Sequence, residues 1–179
     1  MKLYFVTSNQ SKFEEVARLV PGILRLDLEL DEIQDLDPKK VLAHKLTEAK
    51  KHHAGTIAVE DISLSLAGLN GLPGTMIKWF LKSLGTEGMF DLTKKLGNDR
   101  ATILCSVGIS RPGQESVFFA GKRSGRIVAP RAASPFGWNP IFQQDGVNKT
   151  YAEMSMEERL TISHRAIAWR QVSEFKTST

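Results

Sequence analysis

Leu3-Tyr4-Phe5-Val6-Thr7-Ser8-Asn9-Gln10-Ser11-Lys12-Phe13-Glu14-Glu15-Val16-Ala17-Arg18-Leu19-Val20 is the stretch on which the fold turns. It begins with an apolar run, continues through polar residues to Lys12, and then carries Phe13, Val16, Ala17 and Val20 at the i, i+3, i+4, i+7 spacing of a helix burying one face. The order is strand, polar turn, helix, and the chain reads as α/β. Ser11 with Glu14 fits a capping box, which makes Ser11 the N-cap and puts Lys12 in the first turn. A cation there opposes the macrodipole unless an anion lies between it and the free N–H groups. Thr7, Asn9 and Lys12 then become three donors around one anion site at a helix N-terminus. The competing reading is a solvated lysine after an ordinary capped turn.

Outward from that unit, Leu24, Leu26, Leu28 and Leu30 alternate with polar residues as in a half-buried strand. Asp37 and Pro38 supply an N-cap and a proline at N1 for a helix through Val41, Leu42, Lys45, Leu46 and Ala49, which Gly55 stops. Residues 56–59 predict a third strand ending in Glu60 and Asp61, and 62–66 continue the alternation. After the turn-rich 67–74, Thr75 can cap a helix over 76–81, and a further helix around 89–96 closes at Gly97. Residues 101–109 and 116–120 read as strands joined through Arg111-Pro112-Gly113, with another extended piece around 125–128. Ser155 and Glu158 form a second capping box, starting a final helix that carries Ile162, Ala166, Trp169 and Val172. No repeat, low-complexity tract or linker interrupts the chain, so 1–179 is read as one domain.

At 179 residues the chain can bury one substantial core or form two lobes around a cleft, and its 41% hydrophobic and 25% charged content suits a soluble globular protein. No apolar run reaches transmembrane length and the N-terminus lacks a signal peptide's features, so a cytoplasmic location without a membrane partner is expected. One cysteine excludes an internal disulfide and a cysteine-based metal site; within Ile103-Leu104-Cys105-Ser106-Val107 it reads as core. The four histidines make no zinc spacing. A net charge of +4 admits polyanionic small substrates or nucleic acid, but the aromatic-interleaved basic stripe of a stacking platform is missing, and no nucleic-acid partner is expected.

Carboxylates at a strand end can face a ligand crevice, and Glu60 and Asp61 are read there, with Glu32 in an acidic connector. Magnesium takes oxygen ligands and keeps most of its waters, so one or two carboxylates suffice and another can orient or deprotonate water. Exposed loop acids are the alternative reading. Phe136-Gly137-Trp138-Asn139-Pro140 offers aromatics to stack a base, and Ser163-His164-Arg165, with Arg159 nearby, offers donors for its edge. Taken alone, that triplet also fits a solvated helix.

Together these pieces resemble the inosine triphosphate pyrophosphatases, closest to their eukaryotic branch. The likeness runs from Thr7, Asn9 and Lys12, through Val59-Glu60-Asp61, Gly71-Leu72-Pro73-Gly74 and Ile77-Lys78-Trp79-Phe80-Leu81, to residues 124–131, Phe136-Gly137-Trp138, Tyr151-Ala152-Glu153-Met154 and Ser163-His164-Arg165. The resemblance implies a long twisted mixed β-sheet with surrounding helices, in two lobes around a substrate cleft. It also implies a homodimer and a magnesium requirement, with manganese as a substitute. By position, Thr7, Ser8, Asn9, Lys12 and Lys45 hold the triphosphate; Glu32, Asp61 and Glu60 form the metal set; and Asp61, with Lys12 and Glu60, carries the catalysis. Phe136, Gly137, Trp138, Asn139, Arg159, Ser163, His164 and Arg165 form the nucleoside end. The family usually has Asp where this chain has Asn139, and Lys where it has Arg159, so the departures fall on base selectivity.

The expected reaction is attack of water on the α-phosphorus of inosine, deoxyinosine or xanthosine triphosphate, releasing the monophosphate and pyrophosphate and cleansing the nucleotide pool. A nucleotide sensor without turnover and a nucleic-acid-binding module are the rivals.

Overall fold

The protein, a computed structural model, is described for residues 2–134 and 137–177. Its elements follow one another as β1 (Leu3–Val6), α1 (Gln10–Leu19), β2 (Leu24–Leu26), α2 (Pro38–Lys50), β3 (Thr56–Leu66), β4 (Pro73–Gly74), α3 (Ile77–Leu96), β5 (Arg100–Ser110), β6 (Val117–Ile127), β7 (Phe142–Gln144), α4 (Met156–Ile162) and α5 (His164–Thr177). The strands form one mixed sheet in the order β2-β1-β3-β5-β6-β7. β1 runs parallel to β2 and β3, whereas the long β3, β5 and β6 pair antiparallel.

The ladder along β3 explains where a cleft can open. β5 pairs one edge throughout 57–66, while on the other edge β1 covers only Thr56 to Ala58 and β4 only Leu64 and Ser65. Between those partners lie Glu60 and Asp61, just beyond the C-terminal end of β1. This is the position where open α/β sheets take ligands. The two acids are therefore not at a strand end, as the sequence reading had them; they occupy the middle of an 11-residue strand, and it is β1 that stops.

Apolar side chains divide by the pleat of β3. Ile57 and Val59 pack with Val6, Leu42 and Leu46 under α2, while Ala58 packs with Phe5, Val16, Trp169 and Val172 under α1 and α5. Asp61 follows the first face and Glu60 the second. A third cluster, with Leu64, Ile77, Met89, Ile103 and Tyr151, fills the far end of the long strands.

Two local expectations change and a third holds. The strand predicted over Leu24 to Leu30 stops at Leu26, because β1 offers only Tyr4, Phe5 and Val6 as partners; Leu28 and Leu30 still pack beneath α2. The two helices expected around Met76 and Met89 are both present within α3, separated at Gly85, whose φ of 65° and ψ of −175° favour glycine, and Gly97 ends the second in the left-handed region. The single final helix is two: Ser163, with ψ of 159°, ends α4, and its hydroxyl accepts from the Ala166 N–H at 3.0 Å, opening α5. Ser155 and Glu158 form the capping box read from the sequence, and Asp37 caps α2 before Pro38. No helix among the described residues is long and apolar enough to cross a membrane.

Candidate active site

The turn after β1 is built by its own side chains. Thr7 Oγ1 accepts from the Asn9 N–H at 3.1 Å, and Asn9 Oδ1 accepts from the Lys12 N–H at 3.0 Å. Asn9, not Ser11, is thus the N-cap, and α1 starts at Gln10. Arg25 fixes the turn from outside: its Nε donates to the Thr7 carbonyl at 3.1 Å and its Nη2 to the Ser8 carbonyl at 2.7 Å, with Gln10 as a further partner. With those acceptors occupied, the turn meets the cleft chiefly with donors. Lys12 reaches past it, 28% exposed, with Nζ 3.4 Å from Glu60 Oε1.

Below the turn, Lys45 of α2 joins two carboxylates. Its Nζ lies 2.9 Å from Glu32 Oε1 and 2.9 Å from Asp61 Oδ1, and it donates to the Glu60 carbonyl at 3.2 Å. All three ammonium hydrogens are thus directed at protein oxygens, two of them carboxylates. Burial alone would lower the Lys45 pKa, but the charges of Asp61 and Glu32 hold it above its ordinary value. Burial raises that of Asp61 against the opposing pull of Lys45. Glu32, despite burial, is held low by Lys45. Asp61 Oδ2 is buried and has no hydrogen-bond partner. That orphaned oxygen, in the same hollow as Glu32, suits a hard divalent cation or a water. Among the described residues there is no group of three or more His, Cys, Asp or Glu side chains that could hold a metal ion.

Glu60 departs from its expected place in the metal set. It points to the opposite face from Asp61, where Arg165 binds it side-on, Nε to Oε2 at 2.9 Å and Nη2 to Oε1 at 3.0 Å. It is fully buried, which would raise its pKa, yet Arg165 and Lys12 drive it far below the carboxylate range. Both of its oxygens accept from donors of the protein. Arg165 also donates to Glu15 at 2.6 Å.

The nucleoside end is a cavity of about 550 Å³ whose walls include Ile62, Leu81, Trp138, Tyr151 and His164. Trp138 meets Phe142, Tyr151 and His164 at ring separations of 5.9, 5.7 and 5.5 Å. Neither ring nitrogen of His164 has a partner, and burial, reinforced by Arg165, pushes its pKa down to about 3. A neutral imidazole there offers a ligand one donor and one acceptor. Gly137 packs against Leu81 and Asn139 lines the same wall. Arg159 also lines it, but its Nη1 donates to the Met154 carbonyl at 3.1 Å and contacts that of Tyr151 at 3.4 Å, stapling the adjoining loop. Ser163 accepts with its hydroxyl as the cap of α5 and does not line the cavity. Ser163→Ala is therefore expected to cost about 1 kcal/mol of stability, measured by urea unfolding. Phe136 lies outside the described residues.

Gly121 of β6 sets the whole end. A Cβ there would strike the His164 carbonyl and the Ala168 nitrogen, so only glycine lets the first turn of α5 sit against the sheet. The cavity adjoins the acidic hollow, about 540 Å³, the two sharing Lys12, Ile62, Ile77 and Lys78 as walls. Thr7, Ser8, Asn9, Glu32, Lys45 and Asp61 line the second hollow, while Trp138, Asn139, Arg159, His164 and Arg165 line the first. Sequence reasoning missed Arg25, Glu15 and Lys78. The Arg25 signal was a cation one residue out of phase with the alternating leucines beside a polar turn.

The sequence profile of the Ham1 family matches residues 3–175. An inosine triphosphate pyrophosphatase of Scheffersomyces stipitis is 36% identical over 189 aligned positions, covering 97% of each chain. Among solved structures, the Staphylococcus aureus Ham1 protein superposes with a TM-score of 0.78 at 26% identity over 98% of both chains. A HAM1 protein from Coxiella burnetii gives 0.84 at 21% identity over 100% of both, a likeness of fold.

Proposed function

Because this chain belongs to the Ham1 family, we propose that its cleft is the active site of a nucleoside triphosphate pyrophosphatase for non-canonical purines, as its similarity to the S. stipitis inosine triphosphate pyrophosphatase supports. The enzyme hydrolyses inosine, deoxyinosine and xanthosine triphosphates to the monophosphate and pyrophosphate, removing them from the nucleotide pool. The observation that carries this reading is a pair of adjoining hollows, with capped turn, lysines and acids around one and a neutral, unpartnered imidazole among aromatics in the other.

The helix N-terminus and Lys12 bind the triphosphate. Glu32 and Asp61 would hold magnesium or manganese, which supplies charge neutralisation at the phosphates. The free oxygen of Asp61 takes the position from which a water is oriented towards the α-phosphorus, and burial makes that carboxylate more basic than an exposed one. Lys45 keeps both acids in register. At the other end His164, Arg165 and Asn139 present donors and an acceptor that a 6-keto purine satisfies. A 6-amino purine leaves buried groups unpaired at about 1–3 kcal/mol each. We assign residues 1–179 to one such domain, cytoplasmic and without a nucleic-acid partner. The uncovered outer positions of β6, with Phe118 40% exposed, favour a homodimer.

Pyrophosphate release measured across purine and pyrimidine triphosphates with magnesium tests the reading: turnover of inosine triphosphate well above adenosine triphosphate is expected. Binding without release would make the protein a sensor. Asn139→Asp puts a pure acceptor in the wall of the base cavity, one to which the N1–H of a 6-keto purine can donate and the bare N1 of adenine cannot. It should raise the inosine-to-adenosine ratio of kcat/KM about tenfold; an unmoved ratio removes Asn139 from base reading.

A further inference from the structure

Trp169 lies one turn beyond Arg165 on α5, fully buried, and lines neither hollow of the cleft. Its indole N–H donates to Glu60 Oε2 at 2.8 Å, the same oxygen that accepts Arg165 Nε. Residues four apart on one helix face thus grip one carboxylate from two directions. Lys12, 3.4 Å from Oε1, draws that carboxylate the other way. A guanidinium paired side-on keeps the plane of its carboxylate, so whatever orients Glu60 orients Arg165. Arg165 has five N–H hydrogens; Glu60 and Glu15 take three, which leaves one on each terminal nitrogen for a ligand in the cavity it lines.

We propose that Trp169 is a positioning residue for purine selection: its indole N–H locks the Glu60 carboxylate, and Glu60 in turn fixes the Arg165 guanidinium at the base chamber. By satisfying Glu60 it also leaves Lys12 available to the phosphates. The inference rests on the functional reading above, and wild-type protein separates the two: without release of pyrophosphate from inosine triphosphate, it is that reading that fails.

With wild-type turnover in hand, Trp169→Phe removes the N–H and keeps an aromatic ring. The inosine-to-adenosine ratio of kcat/KM should fall about tenfold, with KM for inosine triphosphate rising more than kcat drops. Phe5→Leu loosens the edge contact to the same indole, 4.7 Å between centroids, without touching the N–H. It should lower Tm and leave the ratio alone. An unchanged ratio in Trp169→Phe, or an equal change in Phe5→Leu, overturns the proposal. Should Trp169→Phe not fold, the indole N–H resonance of Trp169 in the wild-type protein decides. It should shift on saturation with inosine monophosphate although the ring does not reach the cavity, and a static resonance overturns the relay.

Discussion

Replacing Asp61 by Asn is expected to leave binding of inosine triphosphate within a few-fold of wild type while pyrophosphate release falls by about 10²–10⁴-fold. The amide oxygen can still accept from Lys45, which now meets Asp61 Oδ1 at 2.9 Å, so the α2 side of the hollow keeps its shape. What disappears is the charge on the second oxygen, the one buried without a partner. An amide nitrogen there donates instead of accepting and can neither take a proton nor hold a cation. Single-turnover release with enzyme in excess over nucleotide, beside a binding isotherm, separates the two effects. Full turnover by the variant would move water activation elsewhere in the hollow, with Glu32 the next carboxylate to test.

Glu60→Ala should produce the largest loss of stability, about 3–5 kcal/mol by urea unfolding at neutral pH, because removing one partner of a buried pair strands the other. Arg165 would keep only Glu15, and the Trp169 N–H would lose its acceptor. The loss depends on pH with a definite sign. The folded-state pKa of Glu60 is depressed, so its contribution is complete above the unfolded value of about 4.3 and is lost as pH falls from there towards the folded value. The gap between wild type and variant should narrow below that point. A gap that stays constant from neutral pH into acid would show that packing, not charge, accounts for the loss.

Local signals in the sequence carried much of the fold. Phe13, Val16 and Val20 marked the buried face of α1, Asp37-Pro38 began α2 where it begins, and Ser155 with Glu158 capped α4. The first cap was misplaced because Asn9 and Ser11 are both good cap formers and Glu14 completed a pattern for the second. The deciding partner, Arg25, sits in another strand and so lies outside any local window. The opposite facing of Glu60 and Asp61 was legible in principle, since adjacent residues of one strand point to opposite faces of a sheet. Reading a strand end at Asp61 discarded it. The commitments of Ser163, Lys45 and Arg165 are tertiary: each spends its donors or acceptors on a neighbour that spacing alone cannot name. For that reason the residues of the cleft were easier to find than their tasks.

The mid-strand location of the two acids also limits how this chain can change in length. Inserting or deleting a single amino acid upstream within β3 would rotate both carboxylates through half a turn, delivering each to the wrong side of the sheet. Arg165 and Lys45 would then both be deserted at once. Lineages carrying this architecture should therefore absorb growth and shrinkage in the 67–72 turn or the 111–116 connection, and keep the interval from Thr56 to Asp61 at constant length.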